Sequence, residues 1–218
     1  MSIAVAVRKE GKIAVAADTQ ENFGDRKVLR SNHRSEKILA VGASYLAATG
    51  WGLYDNLLRD YLARSRTPRF ASSEEVFSFF VRFWKQLKSR YTLVNDQSHE
   101  DDPTPFADLD SSFLVVNAGG IYQVSGNMSV STFEEYYAIG SGASYALGAM
   151  QALYPTRASA DEIARAGCAA AIAFDVFCGG DLDVYVVPAA RPRTGARSKR
   201  ARGAPRRRST RARRGGRR

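Results

Sequence analysis

The chain begins with alternating apolar residues that start at its second position. Ser2–Val7 and Ile13–Ala17 both show this alternation, and the polar stretch Arg8–Lys12 separates them. Alternation of this kind predicts β-strands, and two such strands joined by a short polar turn predict a hairpin. We therefore expect the chain to start inside a sheet.

The remaining segments up to residue 187 continue as strand pairs alternating with helices. Further strands are predicted in Lys37–Gly50, at Ser112–Asn117, at Ile121–Ser125 and at Leu182–Val187. Apolar periodicity predicts helices over Trp51–Ala63, from Ser72 to Leu87, over Ala143–Tyr154 and over Ser159–Phe174. The segments Thr19–Glu36 and Asn95–Asp110 are polar, and the second is a predicted loop.

This order of elements determines the predicted fold class. The order along the chain is strand pairs, two helices, strand pairs, two helices and a last strand. This order favours helices packed on both outer faces of two stacked antiparallel sheets. The prediction is an α+β fold, a four-layer α/β/β/α sandwich. A chain of 218 residues with 44% hydrophobic residues is long enough to build the core of one such domain.

The formal net charge of +10 belongs to the end of the chain. Residues 189–218 hold 14 of the 32 Lys and Arg residues and no acidic residue, which leaves 18 basic and 22 acidic residues in 1–188. With almost no apolar side chain larger than alanine, the end segment cannot offset its ordering entropy. We expect a folded domain at 1–188 and a disordered Arg-rich basic tail at 189–218.

Several other classes of protein are disfavoured by the sequence. Cys168 and Cys178 are too few for a disulfide framework and lack metal-ligand spacing to His33 or His99, so we expect no metal and no cofactor. The first residues lack the pattern of a signal peptide, and no apolar run is long enough to span a membrane. A cytoplasmic location is the simplest expectation.

Three segments resemble the proteasome β-subunit and HslV family of N-terminal nucleophile hydrolases. They are SIAVAVRKEGKIAVAADTQ at 2–20, SEKILAVGASYLAATG at 35–50 and YYAIGSGASYALGAM at 136–150, and FDVFCGGDLDVYVV at 174–187 adds support. The sequence is most similar to the β-proteobacterial proteasome homologue (BPH) group, with HslV and Anbu as near neighbours. The resemblance implies a threonine/serine-type endopeptidase that belongs to a self-compartmentalising assembly.

Ser2 is the nucleophile that the resemblance implies, once Met1 has been removed. The free α-amine of a chain terminus has an unperturbed pKa of about 7.7–8.0, so it can serve as the base for the adjacent hydroxyl and no histidine is required. The family usually has Thr here, whose methyl group restricts the rotamer of the nucleophile. A Ser after the initiator Met is also common in proteins without such chemistry.

Asp18 and Lys37 match the charged residues that the family places beside the nucleophile. The resemblance implies that Asp18 orients the site and that Lys37 lowers the pKa of the nucleophile. Arg34 is an alternative to Lys37, and we prefer Lys37 because it precedes an apolar strand and lysine is the tunable base. Taken alone, Asp18 could be a turn former and Lys37 a solvated lysine.

Gly50, Ser141 and Asp175 complete the implied site. By resemblance, the N–H of Gly50 stabilises the oxyanion, Ser141 hydrogen-bonds the terminal amine, and Asp175 lies in the surrounding shell. Cys178, next to Gly179, replaces the Ser or Thr that is more frequent in the family. Taken alone, Gly50 is better explained as an ordinary turn glycine, and Ser141 could equally belong to a plain strand-to-helix turn.

The resemblance also implies partners. Subunits of the family assemble as homo-oligomers of stacked hexameric or heptameric rings that take unfolded proteins or peptides, and an AAA+ unfoldase is a further candidate partner. Two alternatives remain open at this point: a catalytically weak or inactive ring scaffold, and nonspecific nucleic-acid binding through the basic tail. A reading-frame artefact in a GC-rich gene would also explain the composition of the tail.

Overall fold

The structure, a computed structural model, describes residues 2–28, 30–33, 36–91, 109 and 111–190. Its strands are β1 (Ile3–Lys9), β2 (Lys12–Asp18), β3 (Glu21–Phe23), β4 (Arg26–Val28), β5 (Ile38–Val41), β6 (Ser44–Gly50), β7 (Ser111–Asn117), β8 (Gly120–Val124), β9 (Val130–Phe133), β10 (Tyr136–Gly140) and β11 (Leu182–Pro188). Its helices are α1 (Gly52–Arg64), α2 (Ser73–Arg90), α3 (Ala143–Leu153) and α4 (Ala160–Phe174).

Two antiparallel sheets form the centre of the fold. One has the strand order β10-β1-β2-β11 and the other the order β5-β6-β7-β8-β9, while β3 and β4 form a separate small hairpin. The aromatic side chains of α2 pack on the five-stranded sheet, and the smaller side chains of α3 and α4 pack on the four-stranded sheet. A third core lies between the two sheets. The predicted four-layer sandwich is therefore confirmed.

The first hairpin lies at the centre of this sandwich. Residues 3–7 and 13–17 have no exposed surface, because β1 and β2 are covered on both faces. In β1, Ile3 and Val5 pack toward α3 and α4, whereas Ala4 packs toward the other sheet. Small residues on the inner face allow the two sheets to approach closely. The start of the chain is thus fixed in the interior by its own strand.

The helix N-termini match the signals in the sequence. The Ser72 side chain accepts a hydrogen bond from the backbone N–H of Glu75, at 3.3 Å. Ser159 and Glu162 form a capping box at the start of α4, with the backbone N–H of Ser159 donating to the Glu162 carboxylate at 2.8 Å. These caps satisfy backbone N–H groups that lack partners within the helix.

The structure also contains elements that the sequence did not predict. The polar segment Thr19–Glu36 holds the hairpin of β3 and β4, in which Gly24 makes the turn with a φ of 65°. Strands β9 and β10 were missed as well, since they are only four and five residues long. The predicted loop Asn95–Asp110, apart from Leu109, and the tail from residue 191 lie outside the described residues.

Candidate active site

Ser2 lies immediately before β1, which is paired with β10 on one side and with β2 on the other. Ile3 is paired with Gly140 of β10, and Ala4 with Ala17 of β2. This register brings Asp18, the last residue of β2, beside the start of the chain, and the backbone N–H of Ile3 donates to Asp18 Oδ1 at 3.1 Å. Ser2 itself is only 7% exposed.

Asp18 and Lys37 form a buried ion pair next to Ser2. Lys37 Nζ lies 2.7 Å from Asp18 Oδ1, and the two side chains are 6% and 0% exposed. Lys37 Nζ also donates to the carbonyl oxygen of Gln20 at 2.5 Å, and Asp18 Oδ2 accepts from the backbone N–H of Gly179 at 2.9 Å. A buried pair of charges is tolerated when further hydrogen bonds satisfy both partners, and here they do.

Ser2 and Lys37 share a cleft with Gly50. The cleft has a volume of about 740 Å³ and runs past the exposed ring of Trp51. Gly50 ends β6 with a φ of 123°, a conformation that L side chains rarely adopt, so the position requires glycine. The cleft is large enough for several side chains of an extended peptide, since ligand pockets in proteins usually have volumes of about 300–1,000 Å³.

Ser141 and Asp175 approach Ser2 from the helical side of the sheet. Ser141 Oγ lies 3.5 Å from the carbonyl oxygen of Ser2. Burial by itself raises the pKa of Asp175, but hydrogen bonds from the Ser141 hydroxyl, the Phe177 N–H and the Cys178 thiol outweigh it and hold the pKa below its ordinary value. Asp175 is therefore an ionised acceptor at neutral pH that links Ser141 to the loop after α4.

Cys178 also contacts Asp175, and it does so as a protonated thiol. Its Sγ lies 3.4 Å from Asp175 Oδ2. Burial, together with the nearby carboxylates of Asp18 and Asp175, raises the pKa of Cys178 to about 12. The thiol thus donates to Asp175 at neutral pH, as the hydroxyl of a serine would, and does not act as a thiolate.

The two glycines that flank Ser141 are required by close packing. A Cβ atom on Gly140, whose φ is 104°, would lie 2.1 Å from the carbonyl oxygen of Ser2. A Cβ atom on Gly142 would lie 2.6 Å from Ala171 Cβ and 2.9 Å from Cys178 Sγ. The Gly-Ser-Gly sequence is thus a point of close approach to the chain start and to α4.

The six candidate residues therefore lie in one connected arrangement. Ser2, Lys37 and Gly50 line the cleft, and Asp18 is ion-paired with Lys37. Ser141 contacts both the backbone of Ser2 and the carboxylate of Asp175. Arg34, the alternative to Lys37, lies outside the described residues. Among the residues that are described, no group of three or more His, Cys, Asp and Glu side chains could hold a metal ion.

Sequence reasoning missed three contributors to this arrangement. Gln20 supplies a carbonyl oxygen to Lys37, and Gly179 supplies an N–H to Asp18, roles that depend on the backbone and leave no mark in the sequence. His33 lines the cleft and packs edge-on against Phe23, with ring centroids 5.7 Å apart. Its place near Ser2 depends on the β3–β4 hairpin, which the polar sequence did not predict.

Two solved structures of one bacterial protein are similar to the chain along most of its length. Thiobacillus denitrificans BPH is 33% identical, and the match covers 87% of this chain and 100% of that chain with a TM-score of 0.79. The same protein in complex with epoxomicin is 32% identical with the same coverage and TM-score. Eukaryotic HslV from Trypanosoma brucei, at 21% identity and a TM-score of 0.59, supports the fold alone.

Curated relatives agree with the structural comparison. The proteasome subunit beta of Nanoarchaeum equitans (strain Kin4-M) is 23% identical over 202 residues, which are 86% of this chain and 93% of that protein. The ATP-dependent protease subunit HslV of Caulobacter sp. (strain K31) is 29% identical over 194 residues, which are 83% of this chain and 90% of that protein. No protein-family model matches the chain.

Proposed function

Because the chain belongs to the proteasome and HslV-like family of N-terminal nucleophile hydrolases, we propose that it is a peptidase subunit whose nucleophile is Ser2, exposed by removal of Met1. The observation that carries the proposal is the position of Ser2. It lies at the start of a buried central strand, in the same cleft as Lys37 and Gly50. A hydroxyl in such a place needs a base, and the terminal amine would be that base.

The proposed reaction uses the chain's own groups. The α-amine of Ser2 accepts the hydroxyl proton while Oγ attacks the carbonyl carbon of the scissile peptide bond. The N–H of Gly50 donates to the oxyanion that forms, and the ammonium group of Lys37 stabilises negative charge near the nucleophile. The amine then delivers its proton to the leaving nitrogen, and water releases the acyl group by the same path.

The remaining residues would hold these groups in place. Asp18 fixes Lys37 through the 2.7 Å ion pair and fixes the chain start through the N–H of Ile3. Ser141 and Asp175 would orient the free amine, since Ser141 already lies beside the Ser2 backbone. Because Ser lacks the Thr methyl group, its hydroxyl has more rotational freedom, and we propose that turnover is slower than with Thr.

The assembly and the tail belong to the same proposal. We propose stacked hexameric or heptameric rings in the cytoplasm that take unfolded proteins or peptides, with an AAA+ unfoldase as candidate partner. None of the helices in the described ranges has the length and hydrophobicity needed to cross a membrane. We propose that the peptidase domain, expected from the sequence at 1–188, extends to residue 190, because the backbone N–H groups of Ala189 and Ala190 donate to the carbonyl oxygens of Gly11 and Ala118.

A nucleic-acid-binding role is favoured by one observation, the 14 basic residues between Arg191 and Arg218. Such a segment would bind phosphates without sequence selectivity and with a strong salt dependence. An inactive ring scaffold is the other candidate. Hydrolysis of fluorogenic peptides by the assembled protein, lost in Ser2→Ala but retained in Ser2→Thr, would distinguish a peptidase from both alternatives.

A further inference from the structure

A second cleft lies where α1 is connected to α2. It has a volume of about 400 Å³ and shares no lining residue with the cleft of Ser2. Its lining consists of aromatic, small and basic residues: Tyr61, Ser65, Arg66, Thr67, Pro68, Arg69, Phe79 and Arg82. We call it the arginine cleft, after Arg66, Arg69 and Arg82.

The charge of the arginine cleft is not neutralised within the described part of the chain. None of its lining residues is acidic. Arg66, Arg69 and Arg82 are exposed, and no hydrogen bond or ion pair joins them to another described residue. Nearby Arg59 and Arg64, in contrast, pair with acids one turn earlier on α1, at 2.8 and 2.7 Å. Three unpaired guanidinium groups around one cleft repel each other, which favours an anionic ligand.

The backbone that carries two of these arginines is firmly held. A Cβ atom added to Gly42 would lie 3.0 Å from Thr67 Cγ2, so the connection between the helices packs closely on the β5–β6 turn. Phe70 is 1% exposed, and its carbonyl oxygen accepts a hydrogen bond from Asn117 Nδ2 at 2.8 Å. The arginine side chains are therefore presented from a fixed backbone, which lowers the entropic cost of binding a ligand.

The same cleft has an apolar surface beside its charges. This surface is the half-buried ring of Tyr61, which packs on the core ring of Phe79 with centroids 5.4 Å apart; Phe79 itself is 2% exposed and packs edge-on against Phe70 at 5.0 Å. Guanidinium groups bind carboxylates through paired hydrogen bonds, while an aromatic surface accepts an apolar side chain. A ligand that uses both the guanidinium groups and the aromatic surface carries carboxylates and apolar groups along one chain. An acidic peptide with apolar side chains is such a ligand.

A phosphate ligand fits the arginine cleft less well. Phosphate sites commonly use free backbone N–H groups at a helix N-terminus. The N-terminus of α2 is already occupied, because Ser72 and Glu75 accept hydrogen bonds from the backbone there. Pro68, in the wall of the cleft, has no N–H to offer.

We propose that the arginine cleft binds an acidic peptide segment of a partner protein, with carboxylates on the three arginines and an apolar side chain against the ring of Tyr61. The proposal does not depend on the chemistry of Ser2, because the two clefts share no residue. It concerns a docking surface, so it can fail or hold whether or not the protein hydrolyses peptides.

The test uses the full-length protein and a fluorescein-labelled peptide of alternating glutamate and leucine, with a glutamine-for-glutamate peptide as its uncharged counterpart. Fluorescence polarisation would measure both affinities. The triple variant R66Q/R69Q/R82Q is expected to bind the acidic peptide at least tenfold more weakly than the natural protein. The thermal midpoint of the variant should be unchanged, because the three side chains are exposed and unpaired.

A matched control separates the cleft from general basicity, including that of the tail. The triple variant R26Q/R157Q/R165Q removes the same charge from exposed arginines on other surfaces and should bind the acidic peptide like the natural protein. A photo-crosslinkable form of the peptide should label residues 61–82. Three results would overturn the proposal. They are an equal loss of affinity in both triple variants, crosslinks to residues 191–218 alone, and binding of tripolyphosphate but not of the peptide.

Discussion

Lys37 Nζ lies 2.7 Å from Oδ1 of Asp18, and both side chains are almost completely buried. The pair joins two different sheets, since Asp18 ends β2 of the four-stranded sheet and Lys37 immediately precedes β5 of the five-stranded sheet. Removing one partner of a buried pair leaves the other charge without compensation, which usually costs about 3–5 kcal/mol. The pair therefore links the stability of the fold to the geometry around Ser2.

Substitution of Lys37 tests this link. Lys37→Ala should lower peptidase activity by several orders of magnitude and lower the unfolding free energy, because Asp18 loses its ammonium partner. Arg34→Ala should change activity by less than about tenfold, or about 1.4 kcal/mol in activation free energy. Steady-state kinetics and urea unfolding would measure both effects.

The double variant Asp18→Ala/Lys37→Ala is the control. It removes both buried charges, so it should recover part of the stability that Lys37→Ala loses without recovering activity. A larger loss of activity in Arg34→Ala than in Lys37→Ala would mean that the wrong basic residue has been assigned to the site.

Gly140 tests the close approach at the chain start. In Gly140→Ala the new methyl group would meet the carbonyl oxygen of Ser2, at a φ of 104°. We expect a loss of at least about 2 kcal/mol in stability, or a Tm lower by about 4 °C or more, together with loss of activity. Gly148→Ala is the control: that glycine lies in α3 with nothing within 4 Å, so alanine should stabilise by about 0.5–1 kcal/mol. Equal effects of the two substitutions on Tm would contradict this packing.

The raised pKa of Cys178 predicts a thiol that resists alkylation. Burial raises the pKa of Cys178 to about 12, whereas the pKa of an unfolded cysteine is about 8.5. Iodoacetamide at pH 8.5 should therefore leave Cys178 unmodified in the folded protein and modify it in urea, as read by peptide mass spectrometry. Since the folded pKa is the higher one, this thiol contributes stability below about pH 8.5 that is lost as the pH rises toward 12. Rapid alkylation of the folded protein would contradict the buried, protonated thiol.

Part of the site could be predicted from the first twenty residues. The hairpin register pairs Lys9 with Lys12 through a two-residue turn in which Glu10 and Gly11 both have positive φ. Such turns fix the register. With this register, residue 3 is opposite residue 18, so the nearness of Ser2 and Asp18 follows from the alternation and the turn.

The rest of the site depends on how separate elements pack. Lys37 reaches Asp18 only because the two sheets are stacked, and its second partner is the carbonyl oxygen of Gln20. The position of His33 depends on a short hairpin whose side chains are mostly polar and only partly buried. Backbone hydrogen bonds and short polar strands have no distinctive side-chain pattern, so they could be found only in the folded structure.

Removal of residues 191–218 separates the folded domain from the tail. The remaining chain has a formal charge of −4, and the deleted segment has almost no apolar side chain to bury. We expect the oligomer size and thermal midpoint to be nearly unchanged and retention on heparin to be lost, whereas the full-length protein should elute with a strong salt dependence. Collapse of the oligomer on truncation, or sequence-selective DNA binding that survives it, would contradict this division of the chain.

The intact mass of the purified protein, with and without an epoxyketone, tests the role of Ser2 most directly. T. denitrificans BPH has been solved in complex with epoxomicin, which makes this compound the natural probe. The account predicts a subunit that lacks Met1 and gains the mass of one epoxomicin, and a Ser2→Ala variant that gains none. A subunit that keeps Met1, or a Ser2→Ala variant that is labelled to the same extent, would contradict Ser2 as the nucleophile.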